Sequence, residues 1–270
     1  MYHDFYQFKE SPFNVTTDPD FFFSSKHHTE AVSNLMYGIE QRKGILVVTG
    51  EIGTGKTTLC RTLLRQINKN TKFALLLNPK FSDFQLLQII VNDLGIPTKE
   101  NTRYGIVSAL NEFLLREANQ RNNVVVLVDE AQNLSVSQLE QIRLLSNFET
   151  EKEKLLQIIL LGQPELYVKL HLPSLRQLRQ RIAVHYNLQP LAKEDVKHYI
   201  QHRLATATRD NASKVSFSDQ AIESIFRHTQ GTPRTINILC DRALLAGFVA
   251  ETRFIDDNII ENCAREVLNW

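Results

Sequence analysis

Hydrophobic and polar positions along this chain alternate between two periods. Apolar runs of strand length occur at 44–49, 73–77, 124–128, 156–161 and 182–188, and segments of helical period lie between them at 56–67, 84–94, 104–119, 137–148 and 175–181. Unbroken apolar runs such as Val124-Val125-Val126-Leu127-Val128 are what strands covered on both faces look like. The alternation therefore predicts an α/β domain: a five-stranded parallel sheet with helices on both faces and a ligand at the carboxyl ends of the strands. After Gln189-Pro190-Leu191 the strand pattern stops. Segments 193–206, 218–229, 233–251 and 256–268 all read as helices, with Ser218 and Thr232-Pro233 as start signals. The expected division is an α/β domain over 1–189, carrying an N-terminal extension, and a small all-helical domain over 190–270.

Two short stretches carry chemistry. Residues 50–58, GEIGTGKTT, satisfy G-x-x-x-x-G-K-[ST] at every fixed position, after an apolar run and before a helical one. Gly50, Gly53 and Gly55 lack a Cβ, so the backbone can take positive φ and turn its N–H groups onto phosphate oxygens, with the following helix N-terminus adding to the field. Lys56 is spaced to reach the β- and γ-phosphates, and Thr57 to offer its hydroxyl to Mg²⁺. The whole run Gly50, Glu51, Ile52, Gly53, Thr54, Gly55, Lys56, Thr57 and Thr58 is expected to bind nucleotide, Thr58 mainly as a helix-start residue. The second stretch is Asp129-Glu130, closing the apolar run at 124–128. A carboxylate at the carboxyl edge of a buried strand can hold the water shell of Mg²⁺, which is the role expected of Asp129. Glu130, one residue on, is expected to polarise the attacking water. An Asp-Glu pair taken alone is as readily an exposed turn.

Composition changes the picture little. At 43% apolar the chain can bury a full α/β core with material left for a second domain. The 31 basic against 30 acidic residues leave a formal charge of +1, so no global basicity draws it to nucleic acid. Cys60, Cys240 and Cys263 stand in separate apolar helical contexts and read as buried thiols of a reducing compartment. The N-terminus is aromatic and mixed in charge without a leader pattern, and the apolar runs are too short to span a bilayer, so a cytoplasmic location is expected. The pair His27-His28 lacks a third ligand at helical spacing, and no metal besides Mg²⁺ is expected. Phe13 and Phe21-Phe22-Phe23 are expected to pack beneath the nucleotide-side edge.

The phosphate loop, the strand ending in Asp-Glu and the helical tail together resemble the AAA+ P-loop ATPases. The match narrows to the group typified by ExeA (GspA) of bacterial type II secretion and MshM of the mannose-sensitive pilus. It is carried by SPFNVTTDPDFFF at 11–23, GILVVTGEIGTGKTTLCRTLL at 44–64, VVVLVDEAQNLS at 124–135, LEQIRLLSNFET at 139–150, LLQIILLGQPEL at 155–166, LRQLRQRI at 175–182 and GTPRTINILCDRALL at 231–245. The resemblance implies a Mg²⁺-dependent ATPase with a helical lid, working as a homo-oligomer in assembly of an envelope secretion or pilus machine, in the cytoplasm or at the inner-membrane face through a membrane partner. It also implies that Gln163 orients the lytic water with Glu130, that Arg181 reaches a neighbouring subunit's γ-phosphate, and that Arg234 couples the lid to the nucleotide. Read from the residues alone, Arg176, Arg179 and Arg181 form a solvated helix face equally well, and Pro233-Arg234 an ordinary helix start. A DNA-associated ATPase such as a transposition regulator shares the core motifs. It would bring a basic arm or a helix-turn-helix, neither of which is evident. A non-hydrolysing nucleotide-gated scaffold is disfavoured by the presence of both Asp129 and Glu130.

Overall fold

The structure is a computed structural model in which residues 2–16, 18–68, 70–77, 79, 81–98, 102–208 and 215–267 are described. Thr17, within the first matched segment, and Leu268, the expected end of the last helix, lie outside the described residues. In chain order the elements are α1 (Tyr2–Tyr6), α2 (Lys26–Glu40), β1 (Ile45–Gly50), α3 (Lys56–Gln66), β2 (Thr71–Leu76), α4 (Asp83–Asp93), α5 (Arg103–Asn119), β3 (Asn123–Val128), α6 (Val136–Leu145), β4 (Gln157–Gly162) and α7 (Pro164–Leu170). They continue with α8 (Arg176–Arg179), β5 (Ile182–Leu188), α9 (Lys193–Ala207), β6 (Ser216–Phe217), α10 (Asp219–Thr229), α11 (Pro233–Val249), β7 (Phe254–Ile255) and α12 (Asp257–Val267). The chain forms two compact units, one of Thr29–Glu51 with Thr62–Leu188, the other of Met1–His28, Ile52–Arg61 and Gln189–Trp270.

The first unit holds a parallel sheet in the order β2-β3-β4-β1-β5. Every residue of β1 and β4 is buried, and so are Val124 to Val128 of β3, as an unbroken apolar run requires when helices cover both faces. Ile45, Val47, Val126, Ile158 and Leu160 share a core with Leu86, Leu87 and Ile90 of α4, Leu110 and Leu114 of α5, and Ile142 of α6. On the opposite face Leu46 lies against Gly38 of α2, where a Cβ would come within 2.6 Å of the leucine side chain. Each fully buried Leu, Ile or Val contributes about 1.5–3 kcal/mol, so these contacts supply most of the driving force for the sheet. The edge strands β2 and β5 are only partly buried and leave Phe73 about half exposed. Helices α4 and α6 start with capping boxes. Ser82 and Ser135 accept N–H bonds from Gln85 and Gln138, whose side chains return to the serine backbone N–H.

The second unit is mostly helical, with a core drawn from α9, α10, α11 and α12. Two findings depart from the sequence reading. Strands do not stop after Leu191: β6 and β7 pair in parallel, two residues each, too short to show a period. The N-terminal aromatic residues, grouped by sequence with the α/β part, go into the core of this helical unit instead. Tyr6, Phe8, Phe13 and Phe21 are at most 5% exposed there. Buried Arg203 of α9 holds that segment in place. Its guanidinium donates to the carbonyls of Pro12 (2.5 Å) and Asn14 (2.9 Å) and lies 4.7 Å from the Phe21 ring. Tyr199, one turn before Arg203, donates to Asn237 of α11 at 2.7 Å.

Candidate nucleotide site

The phosphate loop leaves β1 at Gly50, and α3 begins at Lys56. Gly53 (φ +83°) and Gly55 (φ +97°) take the left-handed backbone that consecutive inward-facing N–H groups require. The first helical bond of α3 runs from Leu59 N–H to Gly55 O (2.8 Å), and the first-turn N–H groups of any helix have no carbonyl of their own helix to meet. Thr54 is buried, Lys56 is 7% exposed, and Thr57 is partly exposed in the first turn. Loop, lysine and helix start therefore fit a nucleotide's phosphates, and the hydroxyl of Thr57 is a hard oxygen donor suited to Mg²⁺.

Two further groups of the same unit meet the loop. At the start of α11, Arg234 N–H donates to Gly53 O (3.2 Å), and a Cβ on Gly53 would fall 2.6 Å from Arg234 Cβ and 3.2 Å from Thr232 Cγ2. Arg234 is thus beside the loop through its backbone, with an exposed side chain. Thr232 occupies the cap position ahead of Pro233, yet its hydroxyl makes no cap bond. The second group is His28, which sequence reasoning set aside. Its Nε2 lies 3.0 Å from Thr54 O and its Nδ1 2.7 Å from Ser25 Oγ. Burial lowers its pKa below the ordinary imidazole value, the carbonyl of Thr54 opposing the shift, so the ring is neutral at pH 7. The available signal was Ser25 three residues ahead of His28, a helix-start spacing.

In the sheet unit, Asp129 follows β3 at 4% exposure, its N–H donating to Leu76 O (2.9 Å). Glu130 has φ 53°, a left-handed conformation uncommon for a non-glycine residue, and its N–H donates to Asp129 Oδ1 (2.9 Å). That turn aims its carboxylate at two amides: Gln163 Nε2 donates to Glu130 Oε2 at 3.1 Å, and Gln132 Nε2 donates to the same oxygen. Gln132 Oε1 in turn accepts the backbone N–H of Gln163 (3.0 Å), and Lys169 of α7 donates to the carbonyls of Gln132 and Leu134. Glu130 and Gln163 are therefore brought together, and Gln132 is a third member that sequence reasoning missed. Gly162 leaves room for the cluster, since a Cβ there would lie 2.7 Å from Leu166 and 3.0 Å from Gln132 Oε1. Arg181 is exposed ahead of β5, with Nη1 3.5 Å from Ser146 Oγ. Among the described residues no group of three or more His, Cys, Asp or Glu side chains is placed to hold a metal ion. Cys60, Cys240 and Cys263 are buried and none is in a disulfide.

A family model of the AAA domain matches residues 39–170. Over 268 residues the chain is 40% identical to the General secretion pathway protein A of Aeromonas hydrophila, covering 99% of this chain and 48% of that protein, so it spans about half the relative's length. Among solved structures, the Aeropyrum pernix ORC2 protein (ADPNP-ADP complexes) is similar with a TM-score of 0.71 at 15% identity, over 97% of this chain and 73% of that one. The Cdc6p of Pyrobaculum aerophilum gives 0.69 at 17% identity, over 93% and 71%. The RuvB Holliday junction branch migration motor of Thermotoga maritima gives 0.59 at 19%, over 95% and 74%. At such identities these three likenesses speak for the fold alone. No helix among the described residues is long and apolar enough to cross a membrane.

Proposed function

We propose that the chain is an AAA+ P-loop protein of the ExeA/GspA type, that it binds and hydrolyses ATP, and that it uses the cycle to rearrange an oligomer that assists assembly of a bacterial envelope machine. The observation that carries the reading is the loop GEIGTGKTT, with Gly53 and Gly55 at positive φ and a helix opening at the buried Lys56. In it the N–H groups of the loop hold the phosphates, Lys56 adds a point charge at the β- and γ-phosphates, and Thr57 and Asp129 are the oxygen donors for Mg²⁺. Magnesium, when bound, supplies a positive charge that offsets the charge developing on the phosphate oxygens. Glu130 takes the proton side of water activation, with Gln163 and Gln132 holding its carboxylate. Arg234 reports the lid, and Arg181 serves a neighbouring protomer. The client proposed is a type II secretion or pilus assembly, and the proposed site of action is the cytoplasm at the inner-membrane face; the likeness to a protein named for the general secretion pathway supports the choice of client.

The test separates binding from cleavage. Lys56→Ala should abolish saturable ATP binding, whereas Glu130→Gln should bind ATP and release no phosphate. Equal ATP affinity in the wild type and Lys56→Ala would sink the assignment.

A further inference from the structure

We propose that His28 is a positioning residue for the phosphate loop: its imidazole holds the Thr54 carbonyl on the outer side of the loop and thereby keeps the Gly55 N–H turned toward a bound phosphate. The inference rests on the nucleotide-binding reading above and extends it to a residue outside the G-x-x-x-x-G-K-[ST] motif.

A carbonyl oxygen can only accept, so the 3.0 Å contact makes Nε2 the protonated nitrogen of His28, and in the neutral ring Nδ1 then accepts from the Ser25 hydroxyl at 2.7 Å. In a trans peptide the C=O and the next N–H point in opposite directions, so fixing the Thr54 oxygen on the imidazole fixes the Gly55 N–H on the other side of the same plane. This peptide is open to reversal, because it is followed by a glycine at φ +97°, and glycine resists neither hand of the backbone. Reversed, the plane would present a carbonyl where the loop needs a donor, and the anion would meet a negative dipole. The ring also fills the space behind the loop: a Cβ on Gly55 would stand 3.1 Å from His28 Nε2, and the Phe22 ring closes on the imidazole edge-on at 5.4 Å. A histidine that only packed there would need neither the Thr54 bond nor a particular tautomer.

Side-chain geometry offers a clean pair of variants, because a glutamine amide nitrogen overlays Nε2 of histidine and an asparagine side chain overlays Nδ1. His28→Gln keeps a donor for Thr54 and gives up Ser25; His28→Asn keeps the Ser25 bond and gives up Thr54. Titration of the full chain with a fluorescent ATP analogue should show about tenfold weaker binding for His28→Asn, the equivalent of one lost hydrogen bond, and near-wild-type binding for His28→Gln. Thermal melts without nucleotide should fall similarly for both, which removes folding as the cause. Equal weakening in the two variants, no weakening in either, or weakening confined to His28→Gln would overturn the proposal. If wild type and Lys56→Ala both fail to bind, the nucleotide reading itself has failed; if Lys56→Ala alone fails while His28→Asn binds normally, only the role of His28 has. Should His28→Asn not fold, ¹⁵N NMR of the wild-type imidazole decides. A neutral ring with the proton on Nε2 at pH 7 is expected, and a proton on Nδ1 alone overturns it.

Discussion

Gly53→Ala is the substitution through which the joint between loop and α11 can be measured. An alanine at φ +83° costs about 1–2 kcal/mol for the left-handed backbone, less about 0.4–1 kcal/mol returned because the unfolded chain loses freedom. The new methyl would also sit 2.6 Å from Arg234 Cβ, an atom bonded to the helix backbone that cannot swing aside, and 3.2 Å from Thr232 Cγ2. Forced overpacking of this kind costs a further ~1–3 kcal/mol. Gly95→Ala is the internal reference, since Gly95 has φ +69° but nothing within 4 Å of a Cβ, and so carries the backbone cost alone. With about 2–4 °C of melting temperature per kcal/mol for a chain of this size, Gly95→Ala should lower Tm by a few degrees and Gly53→Ala by several more. Calorimetry with and without ATP reads both effects. Gly53→Ala should also lose most of the nucleotide-induced rise in Tm, and Gly95→Ala should keep it. If the two variants melt together and respond equally to ATP, the Gly53–Arg234 contact is not part of the binding device.

Three other outcomes are expected. Gln132→Glu replaces a donor by a carboxylate beside Glu130 while its oxygen still accepts the Gln163 N–H; the like charge should hold a proton on the pair and move the acidic limb of the ATPase pH profile upward by about one unit or more, and an unchanged limb would count against Glu130 as the base. Fluorescence anisotropy with random duplex at low salt should show no sub-micromolar binding that collapses as salt rises, given a net charge of +1; such binding would favour a DNA-associated role. Arg181→Ala should retain ATP binding and lose on the order of 10³-fold or more in turnover, and mixing it with Glu130→Gln should restore some hydrolysis; mixed oligomers that stay inactive would show that Arg181 does not act in trans.

The parts of the molecule legible in the sequence are those whose signal is local. Strands β1, β3 and β4 announce themselves as unbroken apolar runs, and the phosphate loop by its glycine spacing, because each is dictated by neighbours within a few residues. Helix α6 starts at Val136, one residue ahead of the expected 137, because Ser135 and Gln138 form a capping box, and it ends at Leu145, three residues short of the expected 148. The two-residue strands β6 and β7 have no period to read, and the destination of Phe13 and Phe21 depends on Arg203, about 190 positions away, donating to Pro12 and Asn14. Hydrophobicity said that these rings would be buried, but not in which core.

The Glu130 cluster shows most clearly why a site exceeds its motif. Parallel pairing sets Val128, the last residue of β3, opposite Leu160 of β4, and β4 ends at Gly162 with Gln163 next in the chain. Register therefore brings the carboxyl ends of β3 and β4 side by side, and the residues that follow each strand start from there. What register cannot supply is the direction of the carboxylate. That comes from the left-handed turn at Glu130, which sends the chain into the short turn Ala131–Asn133 and returns Gln132 toward the same oxygen that Gln163 approaches. A strained non-glycine residue persists only when its surroundings overdetermine it. Here they do so through the Glu130 N–H on Asp129, two amides on its side chain, and the Lys169 ammonium on the carbonyls of Gln132 and Leu134. Asp129-Glu130 can thus be read from sequence as a pair of acids, but the different surroundings of the two carboxylates are a property of the turn. One is buried at the strand end and accepts its neighbour's N–H, and the other is directed onto the amides of Gln132 and Gln163.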